Sequence, residues 1–312
     1  MSCLKVNHLT VEFCTDTGGV LAVDDVSFDH ERKETLALVG ETGCGKSVIA
    51  MAVMGLLPPN AQVKGEVLLQ GKDLLNMDEK ELAALRGSEL AVILQNPSLA
   101  LNPLTAIGKQ ISEIYRLHEK TDKKTSTAKT KEILKRMGFR EPADFFNHFP
   151  FQFSEGMNQR VMIAAALALS PRVIIADEPT KGLDDRLKEE ITDELSAIKE
   201  EKKSALLLIT HDLGVARKIG DRLAVMYAGE IIETAGAADF FRESLHPYSQ
   251  ALLRSLPENG FIPIPGQTPS TVNPPGGCKF HPRCKDKLGI CVEEKPGLKT
   301  VAGRDIKCHL YI

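Results

Sequence analysis

Gly40-Glu41-Thr42-Gly43-Cys44-Gly45-Lys46-Ser47 is the stretch on which the reading of this chain turns. It fits the pattern G-x-x-x-x-G-K-[ST], and its setting fits as well. The apolar run Thr35–Val39 precedes it, and the apolar stretch Val48–Leu57 follows as a predicted helix, stopped by Pro58-Pro59. Glycines let such a loop curl until successive N–H groups converge on phosphate oxygens, and the helix behind it adds positive potential. Lys46 is expected to neutralise the β- and γ-phosphates, and Ser47 to ligate magnesium. Glu41, Thr42, Cys44 and Val48 complete the nucleotide-binding stretch, with Cys44 as a small filler.

Strands and helices alternate outward from this loop. Leu4–Phe13, Ala22–Phe28, Val63–Leu69, Ala91–Leu94, Val173–Ala176, Ala205–Ile209 and Leu223–Tyr227 read as strands. Glu79–Arg86, Gln159–Leu169 and Asp185–Glu201 read as helices. The alternation predicts an α/β fold with a mainly parallel sheet. The lysine-rich run between Lys120 and Lys135 reads as a solvated helix face. After about Leu245 six prolines, Pro257 to Pro275, break any long element. A boundary is placed there: residues 1–245 as the ATP-binding domain and 246–312 as a small irregular extension.

Val173-Ile174-Ile175-Ala176-Asp177-Glu178 supplies a second site, an apolar strand ending in two acids. Asp177 at the strand end suits magnesium, and Glu178 suits a general base that polarises the attacking water. The 39 Lys and Arg against 42 Asp and Glu argue against a globally basic nucleic-acid binder. Aromatics at 5%, with no Trp, argue against base-stacking platforms. No apolar run reaches the length of a membrane span, and the opening residues carry no basic-then-apolar leader.

Phe153-Ser154-Glu155-Gly156-Met157-Asn158-Gln159-Arg160, Gly182-Leu183-Asp184 and Thr210-His211-Asp212 join the two sites in an order that resembles the ATP-binding cassette ATPases of membrane transporters. The resemblance implies a P-loop ABC ATPase core, a helical subdomain over about residues 96–160, and ATP and Mg²⁺ as substrate and cofactor. It implies that Phe13 stacks on adenine and that Gln95 reaches the magnesium and the reacting water. It further implies that Asp184 communicates across a head-to-tail dimer and that His211 contacts the γ-phosphate. Ser154, Glu155, Gly156 and Gln159 then form the signature loop that acts on a partner's ATP. Two glycines are expected after Ser154, but Glu155 takes the first place. A carboxylate there repels a γ-phosphate, so an asymmetric heterodimer with a second, homologous ATPase is expected.

Leu245-His246-Pro247-Tyr248-Ser249 and Asn273–Cys284 resemble the C-terminal extension of the oligopeptide, dipeptide and nickel importer branch, and Gln95-Asn96-Pro97 and Glu178–Gly182 resemble its nickel-type members slightly more. The branch implies two permeases, an extracytoplasmic solute-binding protein and a peripheral place on the cytoplasmic face of the membrane. Two other readings compete with this one. A non-transport ABC ATPase usually carries a fused second cassette or a long coiled coil. A regulatory subunit with a degenerate signature is favoured by Glu155 and opposed by Glu178 and His211.

Cys278, Cys284, Cys291 and Cys308 are spaced C-x5-C-x6-C-x16-C. Four thiolates suit a tetrahedral zinc or a [4Fe–4S] cluster, and reduced structural thiols are the bland alternative. Some members of the resembled branch carry a cluster at such cysteines. Their distance in sequence from the P-loop suggests that ATP binding is independent of them.

Overall fold

A computed structural model describes residues 2–16, 18–202, 204–270 and 272–311. Its strands, in chain order, are β1 (Ser2–Thr15), β2 (Gly18–Glu31), β3 (Thr35–Val39), β4 (Ala61–Leu69), β5 (Lys72–Asp73), β6 (Leu90–Ile93), β7 (Val173–Asp177), β8 (Ala205–Thr210), β9 (Arg222–Tyr227), β10 (Glu230–Gly236), β11 (Leu298–Val301) and β12 (Arg304–Lys307). The chain divides into two compact units. One comprises Met1–Asn76 with Leu207–Ile312, the other Met77–Leu206.

In the first unit, β2, β1, β4 and β5 form an antiparallel sheet in that order. Leu4, Val6, Leu9 and Val11 of β1 are fully buried, which fixes its register. A second sheet runs β11-β12-β10-β9-β3 and continues into β8 from Leu207. β3 and β9 pair in parallel, Leu36 opposite Arg222 through Val39 opposite Val225. All five residues of β3 are buried, as an apolar run in a covered sheet requires. β9 and β10 form a hairpin with Tyr227 opposite Glu230. Its two-residue turn, Ala228-Gly229, has φ of 46° and 88°, the handedness that matches strand twist.

The second unit holds the parallel pair β6 and β7, Leu90 opposite Val173 through Ile93 opposite Ala176. Around it lie the helices Glu79–Leu85, Ile107–His118, Lys123–Arg136, Glu155–Leu167 and Asp185–Lys202. Lys123–Arg136 turns Ser126, Thr130, Ile133 and Leu134 inward and leaves its lysines toward solvent, as the charge pattern predicts. Phe139, Phe145 and Phe153 pack with ring centroids 5.4 to 6.1 Å apart. No helix among the described residues is long and apolar enough to cross a membrane.

Two features differ from the sequence reading. Within the α/β fold one sheet is wholly antiparallel and the other mixed: the short connections between β1 and β2, β9 and β10, and β11 and β12 can only return the chain antiparallel. The region beyond Leu245 also has more structure than its prolines suggest. Pro247 opens the helix Pro247–Arg254 at a position where no N–H is needed, and the His246 ring nitrogen accepts from Tyr248 N at 3.0 Å. β12 then pairs with β10, Glu233 opposite Ile306.

Candidate functional site

The P-loop lies in the first unit between β3 and the helix Lys46–Val53. Gly40 and Gly45 have φ of 155° and 109°, and a Cβ at either would sit 2.2 Å from a carbonyl oxygen, that of Met226 or Ala22. Only glycine fits both the conformation and the space. Cys44 is buried directly below, and burial raises its thiol pKa, which agrees with its reading as filler. Lys46 is 5% exposed, and its Nζ donates to Gly40 O at 2.8 Å and Glu41 O at 3.0 Å. The ammonium is thus folded into the loop it is expected to serve. Phe13 is partly buried on β1, opposite Val20 and Ala61.

His211 belongs to the same unit. It is exposed between the end of β8 and Asp212, which caps the helix Leu213–Ile219 by accepting from Gly214 N at 2.8 Å and Val215 N at 3.1 Å. Asp212 N in turn donates to Thr210 Oγ1 at 3.0 Å, so the backbone on both sides of His211 is held.

The second unit carries Gln95, Asp177 and Glu178. Gln95 is exposed just beyond β6, and Asp177 is buried at the end of β7. Glu178 has φ of 49°, a left-handed conformation that disfavours a glutamate by about 1–2 kcal/mol. Backbone strain of this kind gathers where a side chain must point in one direction.

The signature residues open the helix Glu155–Leu167. Ser154 caps it, its Oγ accepting from Met157 N at 3.3 Å, and exposed Glu155 occupies the first turn. A Cβ at Gly156 would lie 2.2 Å from Leu187 Cδ2, so the leucine side chain would have to shift to admit one. Gln159 is buried, and its amide donates to Pro179 O at 2.9 Å, bracing the loop that follows Glu178. Asp184 accepts from Leu187 N at 3.0 Å at the start of Asp185–Lys202.

Residues 23–181, half of the chain, match the family described as "ABC transporter". The chain belongs to the ABC transporter family. It is an ATP-hydrolysing ABC ATPase, and residues 232–291 also match the "Oligopeptide/dipeptide transporter, C-terminal region". The dipeptide transport ATP-binding protein DppD of Bacillus subtilis (strain 168) is 42% identical over 301 residues, spanning 94% of this chain and 90% of that one. The oligopeptide transport ATP-binding protein OppD of the same organism is 41% identical over 307 residues, spanning 96% and 86%. DppD of Escherichia coli (strain K12) is 39% identical over 316 residues, spanning 99% and 97%. Among solved structures, the dimeric post-hydrolysis state of the ATP-binding cassette MJ0796 bound to ADP and Pi superposes with a TM-score of 0.68 at 28% identity, covering 75% of this chain and 98% of that one.

One contact of this ABC ATPase had no signal in the sequence. Arg283, in the C-terminal region, makes a two-pronged ion pair with Glu41 of the P-loop at 2.8 and 2.9 Å. The extension is anchored nearby as well. Lys279 Nζ reaches Asp24 Oδ2 at 2.7 Å, Ala228 O at 2.8 Å and Glu230 Oε1 at 3.0 Å, and Phe280 packs on Tyr227 and Tyr248. The P-loop and the C-terminal region, distant in sequence, are thus in direct contact.

The ABC ATPase's seven cysteines are free thiols. Burial pushes Cys278 and Cys308 up to about 11, and the other cysteines of the group add to this, so the four sulfurs lie within electrostatic reach of one another. Cys278 N donates to Cys291 O at 2.9 Å. Among the described residues, however, no three His, Cys, Asp or Glu side chains form a metal-holding group. The donor chemistry suits a soft metal centre, and the geometry is not that of a ligand set.

Proposed function

We propose that this chain is the ATP-hydrolysing subunit of a peptide importer, working at the cytoplasmic face of the membrane with two permeases, a solute-binding protein and a second, homologous ATPase. The observation that carries the reading is the built P-loop, with Lys46 folded under Gly40 and Glu41, in a chain whose C-terminal region matches that of oligopeptide and dipeptide transporters. Residues 1–245 are taken as the cassette and 246–312 as the extension. The relatives described above are named for dipeptides or oligopeptides, so the lean toward nickel finds no support among them. ATP turnover of the assembled transporter tests this reading. It should rise when the solute-binding protein is loaded with peptide and stay flat when that protein is offered nickel alone; the reverse result would reassign the cargo.

In the proposed mechanism the P-loop N–H groups and Lys46 hold the phosphates, and Phe13 stacks on the base. Ser47, Gln95 and Asp177 would hold Mg²⁺, which supplies charge neutralisation at the β- and γ-phosphates when bound. Glu178 takes a proton from the attacking water, and His211 holds the γ-phosphate in position. Asp184 carries the state of the site to the partner.

Ser154, Glu155, Gly156 and Gln159 form the face offered to the partner's ATP. A helix N-terminus attracts phosphate through its unpaired N–H groups, and a carboxylate in the first turn cancels that potential. Glu155 therefore weakens self-pairing. In size-exclusion chromatography with ATP, Glu155→Gly added to Glu178→Gln should shift monomer to dimer, whereas Glu178→Gln alone stays monomeric. Equal dimerisation of both variants would remove Glu155 as the cause.

The thiol chemistry of Cys278, Cys284, Cys291 and Cys308 supports a [4Fe–4S] cluster, with Zn²⁺ as the alternative, and the four side chains would have to move together to form a ligand set. A bound cation would offset the burial that opposes ionisation of Cys278, Cys284 and Cys308. No step of hydrolysis is routed through it. Anaerobically purified protein should be brown with broad blue absorption, and serine at any one of the four positions should bleach it. Colourless protein with one equivalent of zinc would replace the cluster, and metal-free protein of unchanged stability after substitution would leave ordinary thiols.

A further inference from the structure

Glu41 stands second in the P-loop, and every polar atom it has is engaged. Its N–H donates to the Tyr248 hydroxyl at 3.0 Å, and its carbonyl accepts from Lys46 Nζ at 3.0 Å. Its carboxylate accepts from Arg283 Nη1 at 2.8 Å, Arg283 Nη2 at 2.9 Å and Thr268 Oγ1 at 3.1 Å. Tyr248, Thr268 and Arg283 all belong to residues 246–312. The Arg283 side chain is only 4% exposed, and its third nitrogen is used as well: Nε donates to Pro265 O at 2.8 Å. The short turn His281–Arg283 that carries it is held by Phe280 against Tyr227 and Tyr248, with centroids 5.2 and 5.4 Å apart.

A carboxylate inside a loop that binds a triphosphate is unfavourable unless a cation cancels it, and a bidentate guanidinium cancels charge and fixes geometry together. We propose that Arg283 is a positioning residue for the P-loop: it clamps and neutralises Glu41, so that nucleotide affinity depends on the C-terminal extension. The proposal rests on the reading of residues 40–47 as the nucleotide site.

The sign of a double substitution separates this role from simple support of the fold. With the methylanthraniloyl ester of ATP as probe and Mg²⁺ present, Arg283→Gln in the full chain should bind about tenfold more weakly, because Glu41 is left as an uncompensated charge. The double variant Glu41→Gln/Arg283→Gln removes both charges together and should recover at least about threefold of the affinity that Arg283→Gln alone loses. In ATP turnover the Arg283→Gln defect should fall on KM, with kcat within about twofold of wild type. Wild-type affinity in Arg283→Gln, or a double variant as weak as Arg283→Gln, overturns the proposal; the latter result would mean that the extension had merely come loose. Lys46→Ala serves as the reference. If it keeps wild-type affinity, the nucleotide-site reading fails and this inference with it. If it loses affinity while Arg283→Gln does not, only this inference fails.

Discussion

Glu178→Gln hydrolyses ATP at least about a hundredfold more slowly than wild type while binding it as tightly, because an amide keeps the shape of the carboxylate and loses the base. The backbone makes this substitution clean. Glutamine accepts the φ of 49° as poorly as glutamate does, so the two proteins share whatever strain the position holds. Glu178→Gly is the complementary variant: it relieves that strain and still removes the base, so it too should be inactive. Phosphate release by the chain with its partner ATPase, beside an equilibrium binding measurement, checks both. Turnover at the wild-type rate in Glu178→Gln would remove this residue from the chemistry.

Lys46→Ala should lose at least about a hundredfold in ATP affinity, since a buried charge-assisted donor to phosphate disappears. The same change also strips Gly40 O and Glu41 O of their shared donor. Thermal unfolding separates the two effects. Wild-type protein at an ATP concentration a hundredfold above its Kd gains about 2.7 kcal/mol of stability, and the variant should gain none. A variant whose melting temperature rises with ATP as much as that of wild type would refute the role given to Lys46.

The parts legible in the sequence are those written in local order. The P-loop declares itself through eight consecutive residues, and β7 through five apolar or acidic ones, so apolar pattern marks Thr35–Val39 to the residue and Val173–Asp177 to within one residue. The helix Glu155–Leu167 starts four residues before the apolar pattern does, because its first turn is set by the Ser154 cap and not by hydrophobic period. Pro247 opens the helix Pro247–Arg254, a role that depends on its place in the first turn and that composition does not reveal. The φ of Glu178 leaves no trace in residue type. Least visible was the pair between Glu41 and Arg283, which are 242 residues apart, because periodicity carries no information about partners at that range.

The pairing of β12 with β10 has a consequence for how this protein can be cut. β10 is rich in apolar residues, with Ile231, Ile232 and Ala235 buried, and without β12 its outer row of N–H and C=O groups would be a naked sheet margin. Such margins recruit strands from other molecules. The chain instead ends the sheet on β11, four residues long, carrying Lys299 and preceded by Pro296, features that discourage further addition. A cassette shortened at the apparent boundary after Leu245 would therefore be a sticky one. Association seen with such a fragment would report its exposed margin rather than the pairing of two ATP sites.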